Sequence, residues 1–159
     1  MSTSVITVDR SGFNTSKIKR QALAAIRATV TSFAWDIKRH IMAGFRAPKT
    51  GRAYSRPQGR IHIASAPGEP PAIDTGRLDQ SLDIISGSQA GGYWSSVGSE
   101  VLYGAYLEAG SPETNLAKRP FAKPAADAFR QQFVEGIRGA VTAAINGTPS
   151  PVVSVIPVG

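Results

Sequence analysis

The chain has 159 residues, 42% of them hydrophobic, with no cysteine and a net charge of +7. That length suits one domain with a real core, and the missing cysteines exclude disulfides, thiolate nucleophiles and Cys-ligated metals, in keeping with a reducing cytoplasm. No apolar run approaches the roughly 20 residues that span a bilayer, and MSTSVITVDR has no basic region ahead of an apolar core, so neither a membrane association nor a secretory signal is expected.

Ser4–Val8 (SVITV) alternates weakly and is β-branched, which predicts a short strand, and Asp9-Arg10-Ser11-Gly12 supplies turn chemistry. Thr15 or Ser16 can cap the helix that follows by offering a hydroxyl to its free N–H groups. Ile18, Ala22, Ile26, Val30, Phe33, Ile37 and Ile41 recur every three or four residues. This stripe predicts a helix of about seven turns, ending near Gly44, with its basic residues mostly on the other face.

From Phe45 to Pro71 the chain is rich in Gly, Pro, Arg and Ser and reads as a long loop, within which Ile61–Ala64 can pair as an edge strand. Lys38, Arg39, Arg46, Lys49, Arg52, Arg56 and Arg60 form its cationic stretch, with no acid between Ile37 and Gly68. Residues 1–80 carry 13 Lys/Arg against 5 Asp/Glu, whereas residues 81–159 carry 5 against 6. Such a block attracts polyanions or an acidic protein face, unless it is only a solvated loop.

Asp74 or Thr75 can cap a short helical turn anchored by Leu78 and Leu82. Leu82–Ser88 and Tyr93–Glu100 read as strands joined by Gln89–Gly92, and Val101–Glu108 as a third, so an antiparallel meander is expected. Pro120 suits the first turn of a second helix, with Phe121, Ala125, Phe129, Phe133, Ile137, Val141 and Ile145 as its stripe and Asn146-Gly147 as its end. The expected fold is α+β, a single domain over residues 1–147. A long N-terminal helix and a C-terminal helix pack on a small antiparallel sheet, beside a long basic Pro/Gly-rich loop. Residues 148–159 are an apolar, uncharged tail, either frayed or docking on a neighbouring subunit.

Chemistry is sparse. The two histidines, His40 and His62, fall on a helix and in the basic loop, and no phosphate-binding loop, nucleophile elbow or zinc-binding helix is present. The carboxylates Asp74, Asp79, Glu100 and Glu108 have no metal-ligand spacing. No enzymatic activity, metal or cofactor is expected. The basic stretch has no helix-turn-helix, zinc-finger or aromatic ribonucleoprotein signature beside it, which leaves nonspecific nucleic-acid binding as an alternative.

Four stretches, in order, carry a resemblance. They are Ser65-Ala-Pro67-Gly68-Glu69-Pro70, Asp74-Thr75-Gly76-Arg-Leu78-x-x-Ser81, Tyr103-x-x-Tyr106-x-Glu108-x-Gly110 and Arg119-Pro120-Phe121-x-x-Pro-Ala125. Together they resemble the phage tail-component family of the Hong Kong 97 gene-ten type, over roughly residues 45–130. SPETNLAK, between Gly110 and Arg119, departs from the family pattern. The resemblance implies a ring-forming structural protein in the neck of a tailed phage or prophage. It would be assembled in the bacterial cytoplasm and would join the portal or connector to a tail-terminator or tail-tube protein. On that reading the basic stretch faces either packaged DNA in the lumen or an acidic ring above or below. Glu108 and Arg119, at the two ends of one loop, are expected to pair, and Phe121 to anchor the second helix.

Overall fold

A 32-residue helix, α1 (Thr15–Arg46), is the spine on which the longer antiparallel sheet and the C-terminal helix pack. The computed structural model describes residues 15–90 and 92–147; the predicted strand Ser4–Val8 and the tail 148–159 lie outside the described residues. After α1 come two short strands, β1 (Ala53–Ser55) and β2 (Ile61–Ile63), then a one-turn helix, α2 (Arg77–Ser81). The strands β3 (Leu82–Gln89) and β4 (Gly92–Ser99), and the helices α3 (Leu102–Ala109) and α4 (Ala122–Asn146), complete the α+β fold.

Three aromatic pairs set the direction of the helices. Phe45 meets Phe121, His40 meets Phe129, and Phe33 meets Phe133, each edge to face at 5.1–5.5 Å. The positions rise along α4 as they fall along α1, so the two helices are antiparallel. Such aromatic contacts add about 0.5–1.5 kcal/mol each beyond the area they bury. The tightest core cluster joins Ile41 and Phe45 of α1 to Leu78, Leu82, Phe121 and Ala125.

The stripe predicted for α4 follows the buried face only at its start. Positions four apart advance about 40° beyond a full turn, so a strict four-residue series spirals around the helix. By Ile145 it has reached solvent, at 55% exposure, while Ala140, Ala143 and Ala144 are buried in its place. The helix begins at Ala122 with Phe121 as its flanking residue, so Pro120 sits before the first turn and not in it. Gly147 closes the helix in the left-handed region, as its position in the sequence suggests.

The expected three-stranded meander is a two-stranded antiparallel sheet, β3 with β4, from Leu82 opposite Ser99 to Gln89 opposite Gly92. Val101–Glu108 is not a strand: Leu102–Ala109 is helix α3. Periodicity cannot separate strand from helix in so short an apolar run. Packing decides it, because Gly104 is buried where a Cβ would come within 3.1 Å of the Leu78 side chain. Residues 45–71 are also less loop-like than they read, since β1 and β2 pair within them, Ala53 opposite Ile63 through Ser55 opposite Ile61.

Candidate functional site

The β1–β2 hairpin forms an arm whose side chains are almost all exposed, with Ile61 at 73%. Three-residue strands are not stable alone; the arm stands because its root is fixed. At the root the Gly51 N–H donates to the Ala64 carbonyl at 3.0 Å, and the Ala64 N–H to the Arg52 carbonyl at 3.0 Å. The two chains approach so closely that a Cβ on residue 51 would collide with the backbone of Ala64–Ala66. Only glycine fits there.

Glu69 closes the root. Its carboxylate accepts from the Thr50 hydroxyl at 2.6 Å, the Ala66 N–H at 2.8 Å and the Thr50 N–H at 3.2 Å. These hydrogen bonds, the Thr50 hydroxyl first, hold the Glu69 carboxyl below the usual carboxylate range. Lys49 lies alongside, donating to the Gly44 carbonyl at 2.5 Å. Partial burial lowers its ammonium from the ordinary value, against the pull of Glu69.

The same segment is tied to the rest of the fold. The Gly68 N–H donates to the Lys118 carbonyl at 2.8 Å, and Arg119 Nε donates to the Ser65 carbonyl at 3.1 Å. The Arg119 N–H reaches the Leu107 carbonyl at 2.7 Å. Next to it, the Glu108 carboxylate accepts from the N–H groups of Phe121, Ala122 and Lys123 at 2.7–3.0 Å, capping α4. Three of the four sequence stretches thus form one hydrogen-bonded network, and the Asp74–Ser81 stretch joins it through the buried Leu78.

This corrects two expectations. Glu108 and Arg119 do not pair: the carboxylate is taken by orphan donors at the helix start, where an anion is favoured, and the guanidinium by carbonyls of Ser65 and Ala117. Neither Asp74 nor Thr75 caps α2, because Gly76 occupies the cap position with a left-handed φ of 77°. Thr75 is left with one long contact, 3.5 Å from the Arg77 N–H. Asp74 faces the arm instead and forms an ion pair with Arg56.

The cationic stretch is largely partnered. Arg39 meets Asp36, Arg46 meets Asp79 and Arg56 meets Asp74. Lys38 lies over Trp35 and Arg52 over Tyr54, each about 5.4 Å from the ring centre. Arg60, at the arm tip, forms no ion pair among the described residues. Pro70 packs beside Gly44 at the end of α1, and Pro67 is exposed. Tyr103 and Tyr106 leave about half their surface in water, on the outer side of α3. Gly110 ends α3 with its N–H on the Tyr106 carbonyl, and the divergent loop is a turn closed by paired hydrogen bonds between Ser111 and Leu116.

Sequence reasoning missed Asp36. It is 2% exposed, and one carboxylate oxygen is buried without a hydrogen bond. The signal was an acidic residue wedged between the stripe positions Phe33 and Ile37. Among the described residues no group of three or more His, Cys, Asp or Glu is placed to hold a metal ion, and no helix is long and apolar enough to cross a membrane. Comparison with family models, curated proteins and solved structures finds no match to this chain.

Proposed function

We propose that the chain is a structural protein of a tailed phage or prophage, forming an oligomeric ring in the neck between the portal or connector and the tail. The observation that carries this reading is the rooted arm: a basic hairpin with exposed isoleucines, held by a network built from the sequence stretches that resemble neck proteins. A pre-shaped projection suits ring contacts, because little conformational entropy is lost when it docks. Closed rings need heterologous surfaces, and an arm on one side of a protomer supplies one half of such a contact.

The alternative, a free-standing nonspecific nucleic-acid-binding protein, draws only on the basic stretch. Three of its seven cations, Arg39 and Arg46 on α1 and Arg56 on the arm, are engaged by carboxylates, which leaves fewer of them free for phosphates. Salt-dependent binding to free duplex DNA at submicromolar affinity, with no association with portal or tail, would support the alternative. The decisive test is particle assembly without this chain. Filled heads and complete but unattached tails are expected, and normally joined virions would overturn the proposal.

A further inference from the structure

Almost all of the chain's positive charge sits on one helix. α1 carries seven Lys or Arg and one acid, Asp36, a net +6 against the +7 of the whole chain. At about 100° per residue, Lys17, Arg20, Arg27, Trp35, Lys38 and Arg46 fall within roughly a quarter of the helix circumference, on the far side from Phe33. Phe33 meets Phe133 of α4, and α4 and the sheet together take up the apolar side of α1. The row therefore faces water: Lys38 is half-buried and the other five are exposed. From Lys17 to Arg46 it runs about 44 Å.

α1 places no exposed acid in this row. Its one carboxylate is buried and engaged by Arg39, beside the row, and Asp79 meets the row at its end, on Arg46. Arg20, Arg27 and Lys38 form no ion pair among the described residues. Arg27 lies over the ring of Tyr93, and Lys38 over that of Trp35, which is 50% exposed. Between the cations the same side carries Ala24 and Ala28, both exposed, so no bulky side chain there holds a partner away.

We infer that this face of α1 is the chain's contact with duplex DNA, following the phosphates without reading sequence. A line of cations complements a line of phosphates, and a row of about 44 Å matches about 13 base pairs at 3.4 Å each. Two other partners fit less well. A protein interface draws its strength from a desolvated apolar centre, whereas here one tryptophan stands among alanines and cations. A membrane-surface helix turns its apolar face to the lipid, and α1 buries that face against α4 and the sheet. The inference rests on the neck reading for where the DNA lies, since in a ring this face would turn to the channel. The contact itself can be tested in solution.

Full-length protein is titrated against a mixed-sequence duplex longer than the row, about 20 base pairs, over a range of salt. Log affinity is expected to fall linearly with log salt, by about 0.9 for each phosphate neutralised. Arg20→Gln with Lys38→Gln should lower that slope by about 1.8 and leave the circular dichroism spectrum unchanged. Arg52→Gln with Arg60→Gln, on the arm, should leave the slope as it is. The chain's two tryptophans report the face directly. Trp94 points away from α1, because its strand neighbour Tyr93 meets Thr31 of that helix. With Trp94→Phe, the emission of Trp35 should change as DNA binds; with Trp35→Phe, that of Trp94 should not. No binding at low salt, a slope that follows the arm variant instead, or poly-glutamate binding as tightly at equal charge would each overturn the proposal. The two readings fail separately. DNA binding along α1 by a chain absent from the neck keeps the face and drops the ring, and a neck ring that binds no DNA does the reverse.

Discussion

Glu69 and Glu108 do similar work at different places: each gathers backbone donors that would otherwise lack partners. The depressed pKa of Glu69 gives the arm root a pH dependence with a definite sign. Its stabilisation is complete above the ordinary carboxylate value, about 4.3, and is lost as pH falls through the lower value of the folded state. Hydrogen exchange at the Thr50 and Ala66 amides, corrected for intrinsic rates, should show protection falling in that acid range, and Glu69→Ala should remove it at every pH. Glu108→Ala deletes a cap and should cost about 0.5–2 kcal/mol in denaturant unfolding. Asp36 runs the other way. Its buried, half-satisfied carboxylate opposes folding, and Arg39, 58% exposed, can return to water without it. Asp36→Leu should therefore raise stability by about 1–2 kcal/mol, and a loss would mean the carboxylate has a partner of its own.

Among the elements, the two long helices and the β3–β4 hairpin were legible because their signals are local: an apolar stripe, a turn, a terminal glycine. What eluded the sequence depends on distant partners. α3 is a helix because Gly104 lets it lie on Leu78, and no periodicity within eight residues reports that contact. The Glu69 clamp joins residues 19 apart, and Arg119 reaches back 54 residues to Ser65. The four stretches could be recognised as strings before their network was visible, so the candidate site was legible as a set of residues but not as a geometry. The Pro-rich stretch at 65–71 reads as part of a long loop; it is the root on which the β1–β2 arm stands. Phe121 lies where α4, α1 and α2 converge, and Phe121→Ala should cost about 3–5 kcal/mol, measured by chemical denaturation.

Across the whole molecule, the charge asymmetry between residues 1–80 and residues 81–159 leaves the arm basic, with Arg52, Arg56 and Arg60 and no acid, whereas β3, β4 and α4 together are balanced, with three acids and three bases. Two arms facing each other would bring like charges together, which disfavours arm-to-arm contacts between copies. The neck reading is tested most directly by position. Asn146→Cys, exposed at the end of α4, can carry a gold label in a chain with no other thiol. Electron microscopy of labelled particles should place the gold at the head–tail junction, in a closed ring when viewed down the tail axis. Label on the capsid shell or along the tail tube, or particles that join without any label, would contradict it.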